Sequence, residues 1–169
     1  MVENSENLQI DLTWHSQDWP DRDRLEVIAA KAARTTWCQA ISPAATRARQ
    51  SHAELSIVFA DDAFVQNLNC EWRDKDSPTN VLSFPAMDDA PIPGQPVHIG
   101  DVVVALETVM READVQKKLL QHHLAHLICH GTLHLLDYDH MTDNDAEVME
   151  SLESKILASL GVPNPYLAT

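Results

Sequence analysis

The chain has 169 residues, 44% hydrophobic and 22% charged, and reads as one soluble globular domain over residues 1–169, large enough for its own core. No apolar run approaches the roughly 18 to 20 residues of a membrane span, and the acidic start MVENSENLQIDLTW lacks the basic flank and apolar centre of a signal peptide. A net charge of −14, from 12 basic against 26 acidic residues, excludes a general nucleic-acid coat and leaves any polyanion to be gripped locally.

In chain order, LQIDLTW (8–14) alternates apolar and polar residues as a half-buried strand does. Pro20 suits the first turn of a helix running through LEVIAAKAARTTW. Residues 41–52 read as a polar connection, and ELSIVFA (54–60) as a buried strand. Asp61 can cap a helix in which Phe64, Val65, Leu68 and Trp72 share one face. VLSFP and IGDVVVAL supply two more strands. Between them PAMDDAPIPGQPVH carries prolines that forbid regular structure, and its length marks a mobile or functional connection.

The rest is helical. From about Asp114 to Leu136 there is no proline, and Leu120, Leu124, Leu127 and Ile128 recur at helical spacing. Thr142 with Asp145 resembles a capping box, and Met149, Leu152, Ile156 and Leu160 form the stripe of a last helix that Gly161 and Pro163 stop. Cys38, Cys70 and Cys129 form no CxxC pair and read as small reduced core residues, which favours a cytoplasmic compartment.

The chemistry concentrates in HGTLHLLDYDH (130–140). The spacing of His130, His134 and His140 resembles the zinc motif HExxHxxGxxH of metzincin proteases. His130 and His134 lie one turn apart on one helix face, so both can grip one ion. His140 joins them only if the chain turns back after about Leu136. Asp137 stands at the turn glycine of the protease motif, and aspartate is among the few other residues that tolerate a left-handed backbone. Three imidazoles plus an open position form the catalytic rather than the structural pattern for one zinc ion. His126 is a candidate supporting group, and His122 reads as a surface residue. Cys129 points away from the ligand face.

Gly131 stands where the protease keeps its glutamate base and can neither take nor deliver a proton. Zinc held by three neutral ligands keeps its full double charge and lowers the pKa of bound water to about 7. That combination favours phosphodiester over peptide cleavage. Arg73 and Lys75, in LNCEWRDKDSPTNVLSFP (68–85), are the candidate phosphate-binding cations, arginine being able to hold a phosphate bidentately. In isolation the pair would merely complement a helix dipole.

Together the two stretches resemble one family. HGTLHLLDYDH is similar to HGxLHLxGYDH, and WRDKDSPTNVLSF to (Y/W)RxKDxPTDVLSF, of YbeY, the bacterial single-strand-specific metallo-endoribonuclease of rRNA maturation. IGDVVVAL and the closing NPY extend the resemblance. It implies an α+β fold, a small mixed sheet packed with helices around a metzincin-like zinc cleft and a central histidine-bearing helix. It also implies zinc at His130, His134 and His140, a catalytic or phosphate-binding role for Arg73, and small-subunit rRNA as the single-stranded substrate, with association to the ribosomal small subunit. Asn80 and Asp137 depart from the family's aspartate and glycine. Asp137 has two readings, a plain turn residue or a carboxylate near the attacking water. A zinc peptidase using Asp137 or Asp139 as base, and a non-catalytic ribosome-assembly factor with structural zinc, stand as alternatives.

Overall fold

The computed structural model describes residues 7–86, 92 and 94–167. The elements are β1 (Leu8–Trp14), α1 (Arg22–Gln39), α2 (Pro43–Ala48), β2 (Ala53–Ala60), α3 (Asp62–Arg73), β3 (Val81–Pro85), β4 (Val97–Ala105), α4 (Leu106–Val115), α5 (Leu120–Leu135) and α6 (Asp143–Ser159). Among the described residues the sheet runs β1-β2-β4-β3. The first three of these strands are parallel, and β3 lies antiparallel on the edge beside β4. This is the mixed α+β architecture expected. No helix among the described residues is long and apolar enough to cross a membrane.

Each parallel pairing needs a helical crossover, and the helices divide the core in two. On one face, Leu55, Ile57 and Phe59 of β2 and Val102 and Val104 of β4 pack with Leu25, Ala29 and Trp37 of α1, Leu124, Ile128 and Leu133 of α5, and Met149 and Ile156 of α6. On the other, Val65, Leu82 and Val103 form a smaller cluster joined by Phe64, Leu68 and Phe84. β4 is buried from both sides, which is why its VVV run shows no alternation.

Several expectations are corrected. Residues 41–52 contain α2, started by Ser42, whose Oγ accepts from the Ala45 amide at 3.1 Å, with Pro43 in the first turn. Six residues are too few to show an apolar period, so the capping pair was the readable signal. Pro20 precedes α1 and lies outside its first turn, because Asp21 at φ 49° is the N-cap. The helix expected from Asp114 is two helices, separated where Lys117 adopts φ 54°. β4 passes directly into α4 at Leu106 without glycine, proline or a local cap. Asp62 of α3 does the capping from a distance, accepting from the Thr108 amide at 3.0 Å and its hydroxyl at 2.9 Å. Cys38 and Cys70 are exposed and only Cys129 is buried. Trp72 is also exposed, whereas Val65 on the same helix is fully buried. Residues 87–91 and 93 of the proline-rich stretch 85–98 lie outside the described residues, while Pro85 ends β3 and Val97 and His98 begin β4.

Two glycines set how closely α5 lies on the sheet. A Cβ on Gly131 would sit 2.8 Å from Val102 Cγ1 and 3.0 Å from Ser83 Oγ, and one on Gly100 would sit 2.6 Å from Leu135 Cδ2. The Ser83 hydroxyl donates to the Gly131 carbonyl oxygen at 3.0 Å. Helix and strands are therefore in backbone-to-side-chain contact where the histidines begin.

Candidate metal centre

His130 and His134 emerge from the half-buried side of α5 near its C-terminus, and their Nε2 atoms are 3.0 Å apart. Asp137 at φ 67° then reverses the chain. The turn is closed by the Tyr138 amide donating to the Leu133 carbonyl at 3.0 Å. It is pinned to the α1–α2 link, where the Ser42 hydroxyl donates to Leu136 O at 2.6 Å and the Ile41 amide to Tyr138 Oη at 2.9 Å. The reversal brings the His140 ring to 5.7 Å from that of His130 and 5.1 Å from that of His134. One nitrogen from each of the three lies within 4.8 Å of the others. The turn role of Asp137 is thus realised.

The outer nitrogens explain why the inner ones converge. His134 Nδ1 donates to the Tyr138 carbonyl oxygen at 3.0 Å, and His130 Nδ1 lies 2.6 Å from Glu153 Oε1. Both partners fix the tautomer with the proton on Nδ1. Two bare Nε2 lone pairs then face each other across 3.0 Å, a repulsive contact that a cation between them relieves. Tetrahedral zinc with bonds of about 2.0–2.1 Å separates its ligands by little more than this, so the donor set fits such an ion. Burial, followed by the neighbouring His130 and His140, lowers the pKa of His134 and keeps it in the neutral form a metal requires.

Glu153 of α6 is the principal residue that the sequence reading did not find. It is fully buried and receives His126 Nε2 at 3.2 Å, His130 Nδ1 and the Tyr166 hydroxyl. Burial alone would raise its pKa. The hydrogen bonds from His126, His130 and Tyr166 outweigh burial and hold the carboxyl at about 2. Burial and the Glu153 charge push the Tyr166 phenol well above its ordinary value. A readable sign existed, since Glu153 falls on the apolar stripe of Met149 and Ile156, where an unpaired charge would not be tolerated. His126, His130 and Glu153 also lie within reach of a single ion, but the short His130–Glu153 pair is the carboxylate–histidine contact that orients a ligand. His126 therefore supports the site as expected.

His123 was also missed. It is buried, with Nε2 2.7 Å from Glu112 Oε2. Burial lowers its pKa against the opposing pull of Glu112. Glu112 in turn accepts from Asn80 Nδ2 at 3.0 Å, while Asn80 Oδ1 accepts from the Val81 amide at 2.7 Å. An asparagine fits here because it donates to Glu112, where an aspartate would set two carboxylates against each other.

The three histidines open into a cleft of about 650 Å³, from whose lining Glu153, His126, His123 and Glu112 are absent. The three histidines, Asp137 and Asp139, from α5 and the turn after it, line it together with Arg73 of α3 and Asn80 and Ser83 at and in β3. Arg73 ends α3, and its Nη2 donates to the Ser83 carbonyl oxygen at 3.3 Å. Lys75 is exposed and outside the lining, and its amide closes α3 by donating to Asn69 O at 3.2 Å. The structure thus brings four of the five expected site residues together and leaves Lys75 at the margin. Gly131 is absent from the cleft lining and is packed against Val102 and Ser83, so no glutamate could occupy that position without lifting the helix.

The family described as endoribonuclease YbeY matches residues 21–161. A protein of Sinorhizobium fredii named endoribonuclease YbeY is 44% identical over 94% of this chain and 92% of its own length. Its namesake in Azorhizobium caulinodans is 45% identical over 94% and 96%. That of Paramagnetospirillum magneticum is 58% identical over 67% of this chain and 71% of its own. The solution structure of TM1509 from Thermotoga maritima shares the fold, with a TM-score of 0.53, 18% identity, and coverage of 95% of this chain and 100% of that one. The chain belongs to the endoribonuclease YbeY family.

Proposed function

We propose that this protein is a zinc-dependent, single-strand-specific endoribonuclease that acts in the cytoplasm on the 3′ end of small-subunit rRNA, in maturation and ribosome quality control. In this reading residues 1–169 work as a single domain associated with the small ribosomal subunit. The observation that carries it is that Arg73 lines one cleft with three converging imidazole nitrogens, with packing rather than a glutamate at position 131. His130, His134 and His140 would hold the ion, which supplies positive charge at a phosphoryl oxygen and makes water more acidic.

The remaining roles fall to the chain itself. Arg73 takes a phosphate oxygen and offsets the negative charge that builds as the incoming oxygen bonds to phosphorus. Lys75, outside the cleft lining, serves a flanking phosphate. Glu153 and the Tyr138 carbonyl keep His130 and His134 in their metal-facing orientation.

The test is metal-loaded protein on single-stranded RNA, with the new ends identified. A 2′,3′-cyclic phosphate assigns the attack to a ribose 2′-OH, and a linear monoester assigns it to water. Absence of cleavage with tight RNA binding would favour the assembly-factor alternative. Hydrolysis of peptides in place of RNA would establish the peptidase.

A further inference from the structure

Two neighbours in the last turn of α3 have opposite surroundings. Arg73 lines the cleft, while Trp72 stays 66% exposed, although it continues the apolar period of Phe64, Val65 and Leu68. The indole makes an edge-type ring contact with Phe84, centroids 6.5 Å apart and planes at 65°, and most of its surface stays in solvent. Phe84 lies between Ser83 and Pro85, both of which line the cleft. Strand β3 is the edge of the sheet: its Ser83 side chain reaches Gly131 of α5, and Phe84 joins the α3 cluster on the other face. The indole therefore lies beside Phe84 on the α3 side of the edge strand, outside the cleft lining and one residue from the cleft arginine.

We propose that Trp72 is a stacking platform for one unpaired nucleobase of the strand whose phosphate Arg73 holds. The inference rests on the ribonuclease reading above and names a contact through which the site distinguishes unpaired from paired strand. On a protein of net charge −14, diffuse attraction cannot draw in RNA, so affinity must come from a few local contacts. Base–aromatic stacking is such a contact: it accepts any base. It also requires the base to be free of its duplex neighbours. The indole supplies a broad rigid face with little rotamer entropy to lose.

Steady-state cleavage of short single-stranded RNAs by the metal-loaded protein, with one base deleted at each position in turn, tests this. Trp72→Ala is expected to raise KM about 10- to 100-fold, the range for one stacked base, with kcat little changed because the contact is present before and during reaction. Trp72→Phe should recover most of the loss, and Trp72→Leu, apolar but without a flat face, should not. One abasic position should penalise the wild type and cost nothing more in Trp72→Ala, the coupling expected of a direct contact. An unchanged KM in Trp72→Ala, or the same abasic penalties in both proteins, would overturn the stacking role and leave the ribonuclease reading standing. A wild type that cuts no single-stranded RNA would overturn both.

Discussion

At the scale of single residues, the proposed function gives Arg73 to the substrate and Glu153 to the support of a metal ligand. Arg73→Ala should lower RNA cleavage by roughly 100- to 1,000-fold, the effect of removing one preorganised donor, with metal content unchanged by elemental analysis. Loss of metal in this variant would move Arg73 to the ion. Glu153→Gln keeps shape and removes charge. Because Glu153 orients His130 at 2.6 Å, metal affinity should fall about 10- to 100-fold, read by competition with a chelator. The same residue sets a pH dependence. Its folded pKa is depressed from 4.5 to about 2, so its contribution is fully present above about pH 4.5 and is lost as pH falls toward 2. That contribution is about 3 kcal/mol by linkage. Denaturant unfolding should therefore show the wild type and Glu153→Gln differing most near neutrality and converging in acid. Asp137→Gly, at φ 67°, should retain activity and gain up to about 1 kcal/mol by relief of left-handed strain. A tenfold loss of activity with metal retained would instead give the carboxylate a part in the reaction.

Among the elements, α5 is the one whose seating decides the site. Its contact with β3 and β4 at Gly131 is closer than a methyl group allows, since the added Cβ would meet Val102 Cγ1 at 2.8 Å. Alanine is the better helix former by about 1 kcal/mol, so propensity alone predicts that Gly131→Ala stabilises. Overpacking works against it at about 1–3 kcal/mol and should win, because Val102 is fully buried and cannot swing aside. Thermal unfolding should show a net loss for Gly131→Ala and partial recovery in the double variant with Val102→Ala. A stabilised single variant would mean that α5 can lift freely, and the packing account of the missing glutamate would fail.

For the molecule as a whole, the −14 charge and the single cleft arginine imply few phosphate contacts. The logarithm of RNA affinity against the logarithm of salt concentration should have a slope of only about −2 to −3, since single strands contribute roughly −0.7 per neutralised phosphate. A slope twice as steep would point to an extended basic track or to a partner that supplies one. The two-sided core makes the cleft a joint product of the sheet edge, α3 and α5, so chelation should lower the melting temperature by removing the ion that relieves the His130–His134 contact.

What the sequence by itself determined is local. His130 and His134 share a face because four residues make a helical turn, and Asp137 reads as a turn because few side chains accept positive φ. Asp61 and Thr142 announce the starts of α3 and α6, and each accepts its cap bond as expected, from Phe64 at 2.8 Å and Asp145 at 3.1 Å. Only tertiary structure decided the rest. Glu153 meets His130 across 23 positions of sequence, and no period on α6 says which buried neighbour neutralises it. The start of α4 was hidden because its cap, Asp62, lies 46 residues away from Thr108. Trp72 departs from its helical stripe because edge strand β3 ends the surface that would have covered it. A residue's partners within a turn follow from backbone geometry, whereas partners across the core depend on how separate elements pack together, and that is where the orientation of this metal centre was set.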